Sequence, residues 1–126
     1  MAKITAESAS QVETMDGFEG RYQDLGGYTV GFETYTADDD PAPLFAGLPD
    51  DACQCPHWGV VLEGELVYRY TDGTVDHVAA GEAYYARPGH TPRFFAGSRV
   101  VEFSPTQELG ATMEVVSRNV AASTGS

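Results

Sequence analysis

The amino-acid sequence predicts an all-β protein, an antiparallel sandwich or barrel, with one helix near its C-terminus. Short segments rich in Val, Tyr, Phe and Thr recur along the chain and are separated by Gly and Pro, which is typical of strands joined by turns. Asp72-Gly73 is a strong tight-turn signal between two of these segments. After Pro105 the spacing of the apolar residues changes to that of a helix. Together these observations indicate many short strands followed by one helix.

Eight segments have the composition and alternation of strands. They cover residues 21–25, 28–36, 58–62, 65–71, 74–78, 83–86, 93–96 and 99–103. Residues 1–19 are polar and weakly patterned, so we expect either a frayed N-terminal arm or a short edge element there. The barrel should then extend over about residues 20–104.

The C-terminal helix is expected over about residues 105–118. Leu109, Met113 and Val116 are spaced by four and three residues, which places them on one face of a helix. The sequence contains no internal repeat and no low-complexity tract, and its length of 126 residues predicts a single domain over residues 1–126.

Composition and charge exclude several classes of function for this protein. The chain is 42% hydrophobic, so it can bury a core, and its net charge of −12 makes nucleic acid and anionic membrane surfaces poor partners. No apolar run approaches the roughly 20 residues of a membrane span, and no signal peptide is recognisable. We therefore expect a cytoplasmic protein whose cysteines are reduced.

The most informative segment is Cys53-Gln-Cys55-Pro-His57, which contains both cysteines of the chain. Side chains two residues apart lie on one face of an extended chain, so Cys53, Cys55 and His57 are expected to point the same way. Thiolate and imidazole donors suit zinc first, then iron or copper. Two further interpretations remain open: two buried thiols packing beside a hydrogen-bonded histidine, or a redox-reactive thiolate next to His57. No bound metal at all is therefore a possible outcome.

The glycine and proline spacing resembles that of the small single-domain cupins. Their first motif reads Gly, five residues, His-X-His, three or four residues, Glu, six residues, Gly. Here Gly47 precedes Cys53 by the same five residues, and six residues separate His57 from Gly64, so cysteines occupy both histidine positions and His57 the glutamate position. The second motif is represented by Gly81 and Arg87-Pro88-Gly89. In that motif Pro92 occupies the usual histidine position and Ala96 the asparagine position, while His90 lies two residues earlier.

The resemblance covers about residues 44–104 and implies a double-stranded β-helix barrel, a jelly roll, that brings the two motifs together. His90 would then be a fourth metal ligand beside Cys53, Cys55 and His57. Because single-domain cupins commonly pair, it also implies a homodimer.

Several further residues are candidates for binding a small molecule inside the barrel. Gly59 would leave space for a ligand beside His57, and Tyr84 would line the pocket with its polar tip. Arg87 and Arg93 flank the Pro-Gly turn and would clamp a carboxylate, or else only offset the acidic surface. His57 is also a candidate general base, whereas His77 is expected at the surface.

These interpretations predict a cupin that binds a small organic molecule, with a non-standard Cys/His metal centre. The alternative is a metal-dependent cupin enzyme of the oxygenase or isomerase type, using the same four side chains. The sequence identifies neither the ligand nor a reaction.

Overall fold

The structure, a computed structural model, describes residues 2–124. Nine strands precede one long helix. The strands are β1 (Gln11–Met15), β2 (Phe18–Leu25), β3 (Tyr28–Tyr35), β4 (His57–Glu63), β5 (Glu65–Tyr70), β6 (Val75–Ala79), β7 (Ala83–Ala86), β8 (His90–Phe94) and β9 (Ser98–Pro105). The helix is α1 (Thr106–Thr124), and two short 3₁₀ helices, Ala42–Phe45 and Pro49–Asp51, lie in the connection from β3 to β4.

The strands form two antiparallel sheets that face each other. The larger sheet has the order β1-β2-β3-β9-β4-β7, and the smaller one has the order β6-β5-β8. This architecture confirms the predicted all-β jelly-roll barrel with a C-terminal helix. The sheets enclose a core formed by Phe18, Tyr35, Val61, Leu66, Tyr68, Tyr70, Val78, Tyr84, Ala86, Phe94 and Val100.

A tight reversal at Gly64 carries the chain from the larger sheet into the smaller one. Gly64 has φ +74°, and a Cβ placed there would lie 2.8 Å from the Cα of Ser98. Only glycine fits this left-handed position so close to another strand. The hydroxyl of Ser98 donates to the Glu65 carbonyl and accepts from the Glu65 N–H, which fixes the start of β5.

Of the two alternatives expected for residues 1–19, a frayed arm and a short edge element, the structure contains the edge element. Residues Gln11–Met15 form β1, which pairs antiparallel with β2, and β2 itself begins at Phe18. Every residue of β1 is exposed, so its sequence carries no alternation that would reveal a strand. The segment is therefore the edge element of the larger sheet, and the β-structure begins nine residues before position 20.

Two other boundaries also differ from the sequence prediction. β8 begins at His90 rather than at residue 93, because the turn before it ends at Gly89. The helix continues to Thr124 rather than ending near 118. Its inward side includes Leu109 and Val116, as predicted, whereas Met113 is exposed.

Helix α1 packs on the connection that leads into β4. A second cluster of buried side chains joins Phe45, Cys53 and Cys55 to Val116 of the helix. The Asn119 amide donates to the carbonyls of Leu44, in the first 3₁₀ helix, and of Ala46, directly after it, at 2.7 and 2.9 Å. These contacts place the cysteine segment between the helix and the barrel. None of the helices formed by residues 2–124 combines the length and the apolar character needed to cross a membrane.

Candidate metal centre

Three buried side chains converge at the end of the barrel nearest the helix. The candidate ligand atoms of Cys53, His57 and His90 all lie within 4.8 Å of one another. The Sγ of Cys53 and the Nε2 of His57 are 3.7 Å apart, and the centroids of the two imidazoles are 4.9 Å apart. This is a distance range in which one metal ion can be shared by the three side chains.

Backbone pairing brings the two parts of the sequence together. Cys53 and His90 form an isolated antiparallel bridge, in which the Cys53 N–H donates to the His90 carbonyl at 2.8 Å and the His90 N–H donates back at 3.2 Å. His57 is the first residue of β4, and its side chain points inward with those of Gly59 and Val61. The two motifs therefore lie close together, as predicted, because the backbones of Cys53 and His90 are joined by hydrogen bonds.

The orientation of His90 leaves one of its nitrogens without a partner. Its Nδ1 lies 2.6 Å from the Arg87 carbonyl oxygen, so Nδ1 carries the proton and Nε2 presents a lone pair. His90 is fully buried, and its Nε2 has no hydrogen-bond partner among residues 2–124. An unpaired buried nitrogen costs about 1–3 kcal/mol, which a bound ligand would offset. Burial and the neighbouring His57 lower the pKa of His90 to about 4, so the imidazole is neutral at pH 7.

His57 is oriented by two polar side chains of β9. Its Nδ1 lies 2.7 Å from the Ser104 Oγ and 3.2 Å from a carboxylate oxygen of Glu102. Burial lowers the pKa of His57 to about 4, so this imidazole is also neutral at pH 7. A proton on Nδ1 directs the Nε2 lone pair toward Cys53, which is the arrangement that metal-binding histidines typically have. The expectation that His57 acts as a general base remains a prediction.

The Cys53 thiol completes the donor set. Burial raises its pKa to about 11, so without a metal it is protonated at neutral pH. A bound metal would replace that proton, because the thiolate is the ligand form. One thiolate and two imidazoles are chemically suited to zinc, iron or copper, so the side chains present fit a metal of this class.

The side chain of Cys55 does not lie on the face that it was expected to share with Cys53 and His57. The chain bends at this residue, and its Sγ lies 3.4 Å from the Pro56 carbonyl oxygen in the cluster beneath the helix. Burial raises the pKa of its thiol to about 12. Strict alternation holds only in regular extended chain, so the structure brings Cys53, His57 and His90 together and leaves Cys55 outside the group.

Glu102 is a central member of the site that the sequence analysis missed. One of its carboxylate oxygens accepts hydrogen bonds from Tyr68 at 2.8 Å and Tyr84 at 2.5 Å, and the other faces His57. Burial raises the pKa of this carboxyl group. The available signal was the alternation in β9, which puts an acid on the same face as buried Val100 and Ser104.

Of the other predicted binding residues, Gly59 and Tyr84 contact each other, whereas Arg87 and Arg93 are exposed. The ring of Tyr84 covers Gly59, since a Cβ on this glycine would lie 2.5 Å from the Tyr84 hydroxyl, so that space is filled by a side chain. Arg87 is exposed, pairs with Asp72 at 3.1 Å and stacks on the Tyr70 ring. Arg93 is exposed as well, which places both arginines on the outer surface.

His77, on β6, is exposed as predicted.

No protein-family model matches the sequence, and the comparison with curated proteins found no significant match. Solved structures do match. An RmlC-like cupin from Shewanella frigidimarina is 15% identical and has a TM-score of 0.55, with 81% of this chain and 88% of that chain covered. A protein of unknown function from Rhizobium leguminosarum is 20% identical, with a TM-score of 0.56 and coverage of 82% and 95%. Fe(II)-HppE with an alternative substrate is 11% identical, with a TM-score of 0.56 and coverage of 82% and 60%.

At these identities the similarity concerns the fold alone. The chain therefore has the cupin fold.

Proposed function

We propose that this cupin binds one divalent metal ion through Cys53, His57 and His90, and that a small organic molecule binds beside it in the barrel. The observation that carries the proposal is the unpartnered Nε2 of His90, which is fully buried and lies within 4.8 Å of the other two candidate ligand atoms. The contacts to the Nδ1 atoms of both imidazoles support it, because they leave both Nε2 lone pairs available.

The donor set favours zinc, followed by iron or copper. Three protein ligands leave coordination positions open for water or an organic ligand. A metal bound there would act as a Lewis acid toward an oxygen of that ligand. The polar side chains next to the centre are Glu102, Tyr68 and Tyr84, which are joined by hydrogen bonds and would shape the space that the ligand enters.

A metal-dependent enzyme of the oxygenase or isomerase type is the second candidate. Its support is the incomplete ligand set, since open positions are typical of catalytic metal sites and structural sites are closed. One structural neighbour, Fe(II)-HppE, was solved with iron and a substrate. The first proposal requires only that metal and ligand bind, and the second also requires turnover.

Cobalt(II) titration of metal-free protein tests the centre directly. We expect one equivalent to bind, with a thiolate-to-cobalt charge-transfer band in the near ultraviolet. His90→Ala should weaken cobalt affinity by about 100-fold or more, because it removes one of three ligands. His77→Ala is the matched control, since His77 is an exposed histidine. Equal affinities of wild type and His90→Ala would refute the proposed centre.

We also propose that two copies of the chain pair through the outer face of the larger sheet. Tyr28, Trp58, Tyr85 and Phe103 are each between 39% and 51% exposed, although all are large and hydrophobic. Trp58 contacts the rings of Tyr28 and Tyr85 at centroid distances of 6.0 and 5.1 Å, so the patch is continuous. Two copies that each carry a net charge of −12 would meet most favourably on a patch of uncharged side chains such as this one.

Light scattering tests the pairing. Wild type should have the mass of a dimer at tens of micromolar, and Trp58→Glu should have that of a monomer, because it puts a charge in the centre of the patch. Val12→Glu is a control on the exposed edge strand. A monomeric wild-type protein would contradict the proposal.

A further inference from the structure

A cavity of about 330 Å³ lies on the outer face of the larger sheet, outside the barrel. Strands β2, β3 and β9 form its floor, and residues 6 and 7 of the N-terminal segment form one of its walls. None of the candidate metal ligands borders the cavity, and neither do the aromatic residues of the proposed dimer patch. Its volume lies within the range of sites for small molecules.

Three side chains lie in a row across the floor of this cavity. Thr34 of β3 pairs with Glu19 of β2 on one side and with Arg99 of β9 on the other. Paired residues share a face of the sheet, and Arg99 alternates with buried Val100, so the row is turned away from the core. Neighbouring strands are about 4.8 Å apart, which separates the acid from the base by about 10 Å.

The arginines that line the cavity have unused hydrogen-bond donors. Arg99 contacts a carboxylate oxygen of Glu63 through Nη1 alone, at 3.4 Å, and its Nε and Nη2 have no partner within residues 2–124. Arg21 pairs with Glu19 through Nη2 at 3.2 Å. The Thr34 hydroxyl also lacks a partner among these residues. Guanidinium and hydroxyl groups on one side of a cavity are suited to binding a carboxylate.

The other side of the cavity is acidic. Glu7 is exposed and has neither an ion pair nor a hydrogen bond within the described residues. Glu19 uses one carboxylate oxygen for Arg21, and its second oxygen has no partner in the same part of the chain. Glu33 also borders the cavity, but its carboxyl group accepts a hydrogen bond from Tyr22. The free acceptors on this side are suited to binding an ammonium group.

Apolar side chains complete the lining. Phe32 pairs with Arg21 in the sheet register and contributes its ring to the floor. Leu62 lies at the bulge of β4 and is 45% exposed, although it is a large hydrophobic residue. A short aliphatic chain in the cavity would remove part of this apolar surface from water.

We propose that this cavity binds an aliphatic α-amino acid, whose carboxylate is held by Arg99 and whose ammonium group lies against Glu19. The separation of about 10 Å between these side chains suits such a ligand, because two hydrogen bonds of about 2.9 Å and the two charged groups between them fill it. The Thr34 hydroxyl donates to the same carboxylate, and Glu7 adds a second negative charge near the ammonium group. This inference goes beyond the proposed function, since the cavity shares no residue with the metal centre.

Four probes separate the groups of such a ligand: L-leucine, 4-methylpentanoate, 3-methylbutylamine and glycine. Binding to the full chain is measured by calorimetry and saturation-transfer NMR at constant pH and ionic strength. We expect L-leucine to bind at least about ten-fold more tightly than each other probe, because each of them lacks the ammonium group, the carboxylate or the aliphatic chain. Equal or tighter binding of any other probe, or no saturable binding of L-leucine, would overturn the proposal.

Variants assign the two charged groups. Arg99→Gln should weaken L-leucine binding by about ten-fold or more, because it removes the guanidinium that holds the carboxylate. Arg118→Gln is the matched control, since Arg118 is exposed on α1 and does not border the cavity. Glu19→Gln should weaken L-leucine binding and leave the binding of 4-methylpentanoate unchanged or stronger. Equal affinities of wild type and Arg99→Gln for L-leucine would refute the assignment.

Metal content separates this inference from the proposed function. L-leucine should bind equally to chelator-treated protein, to zinc-loaded protein and to His90→Ala, because the cavity lies outside the barrel. Arg99→Gln should bind zinc with wild-type stoichiometry. An affinity for L-leucine that rises with zinc or falls in His90→Ala would place the amino acid at the metal centre and overturn this inference. Binding of L-leucine by a protein that takes no zinc would overturn the metal centre alone.

Discussion

The two ends of the barrel interior differ in chemistry although the same strands build both. At one end Tyr35 stacks on Phe94 at a centroid distance of 4.1 Å, and Leu66 and Val100 fill the space between the sheets. At the other end the inward positions are polar, with His57 of β4 and Glu102 of β9 as examples.

The two ends contribute differently to the stability of the barrel. The apolar end buries surface without unpaired polar atoms, so it contributes to the free energy of folding. The polar end buries groups such as His57 and Glu102. Burial lowers the pKa of the histidine and raises that of the carboxyl group, so it disfavours the charged form of each. This difference separates the residues that hold the fold together from those available for a ligand.

Replacing the cysteines one at a time gives the largest expected contrast at the polar end. Cys53→Ser should lower zinc affinity by about 100-fold or more, because it removes a thiolate ligand, whereas Cys55→Ser should leave it almost unchanged. Competition with a chromogenic chelator measures both affinities. Similar losses in the two variants would show that Cys55 is also a ligand.

At the apolar end, Leu66→Ala is expected to destabilise the protein by about 2–5 kcal/mol. Leu66 is fully buried among the core side chains, and its removal leaves a cavity. Urea denaturation measures the loss, and zinc stoichiometry should not change below the unfolding transition. Leu62→Ala, at an exposed position, is the matched control. A loss of zinc binding by folded Leu66→Ala would mean that the two ends are not independent.

The stability of the protein should also depend on pH through the polar end. The pKa of Glu33 is about 8 in the folded protein and about 4.5 in the unfolded chain, because burial and Glu102 disfavour its charged form. Between these values the folded state holds a proton that the unfolded state has lost, so stability falls as pH rises, by at most about 1.4 kcal/mol per unit. The groups that face Glu33 are Tyr22, Glu13 and Glu102.

Comparing Glu33→Gln with wild type isolates this contribution. The buried histidines titrate in the opposite sense, since their lowered pKa values make stability rise with pH between about 4 and 6.5. Both proteins share the contribution of the histidines. The unfolding free energy of wild type minus that of Glu33→Gln should therefore decrease from low to high pH. Urea denaturation of chelator-treated protein from pH 5 to 8 measures it, and a constant difference would contradict the raised pKa of Glu33.

Local patterns predicted the fold class and part of the site. The alternation of His57, Gly59 and Val61 placed them on one inward face, because two-residue periodicity is a property of the strand itself. The glycine spacing placed turns correctly for the same local reason, since positive φ at Gly64 and Gly73 favours glycine wherever such a turn occurs. For residues 1–19 the sequence left a frayed arm and a short edge element open, because the exposed strand β1 buries neither face and so has no pattern.

By itself, then, the sequence determined most of the strands, the turns and the inward direction of His57, all of which depend on residues within a few positions of one another. Only the tertiary structure decided which distant groups meet. It excluded Cys55 through a bend in the chain, paired Cys53 with His90 across the barrel, and set Glu33 and Glu102 on one face. These contacts join strands far apart in the chain, and the register between such strands is fixed by the packing of the whole barrel.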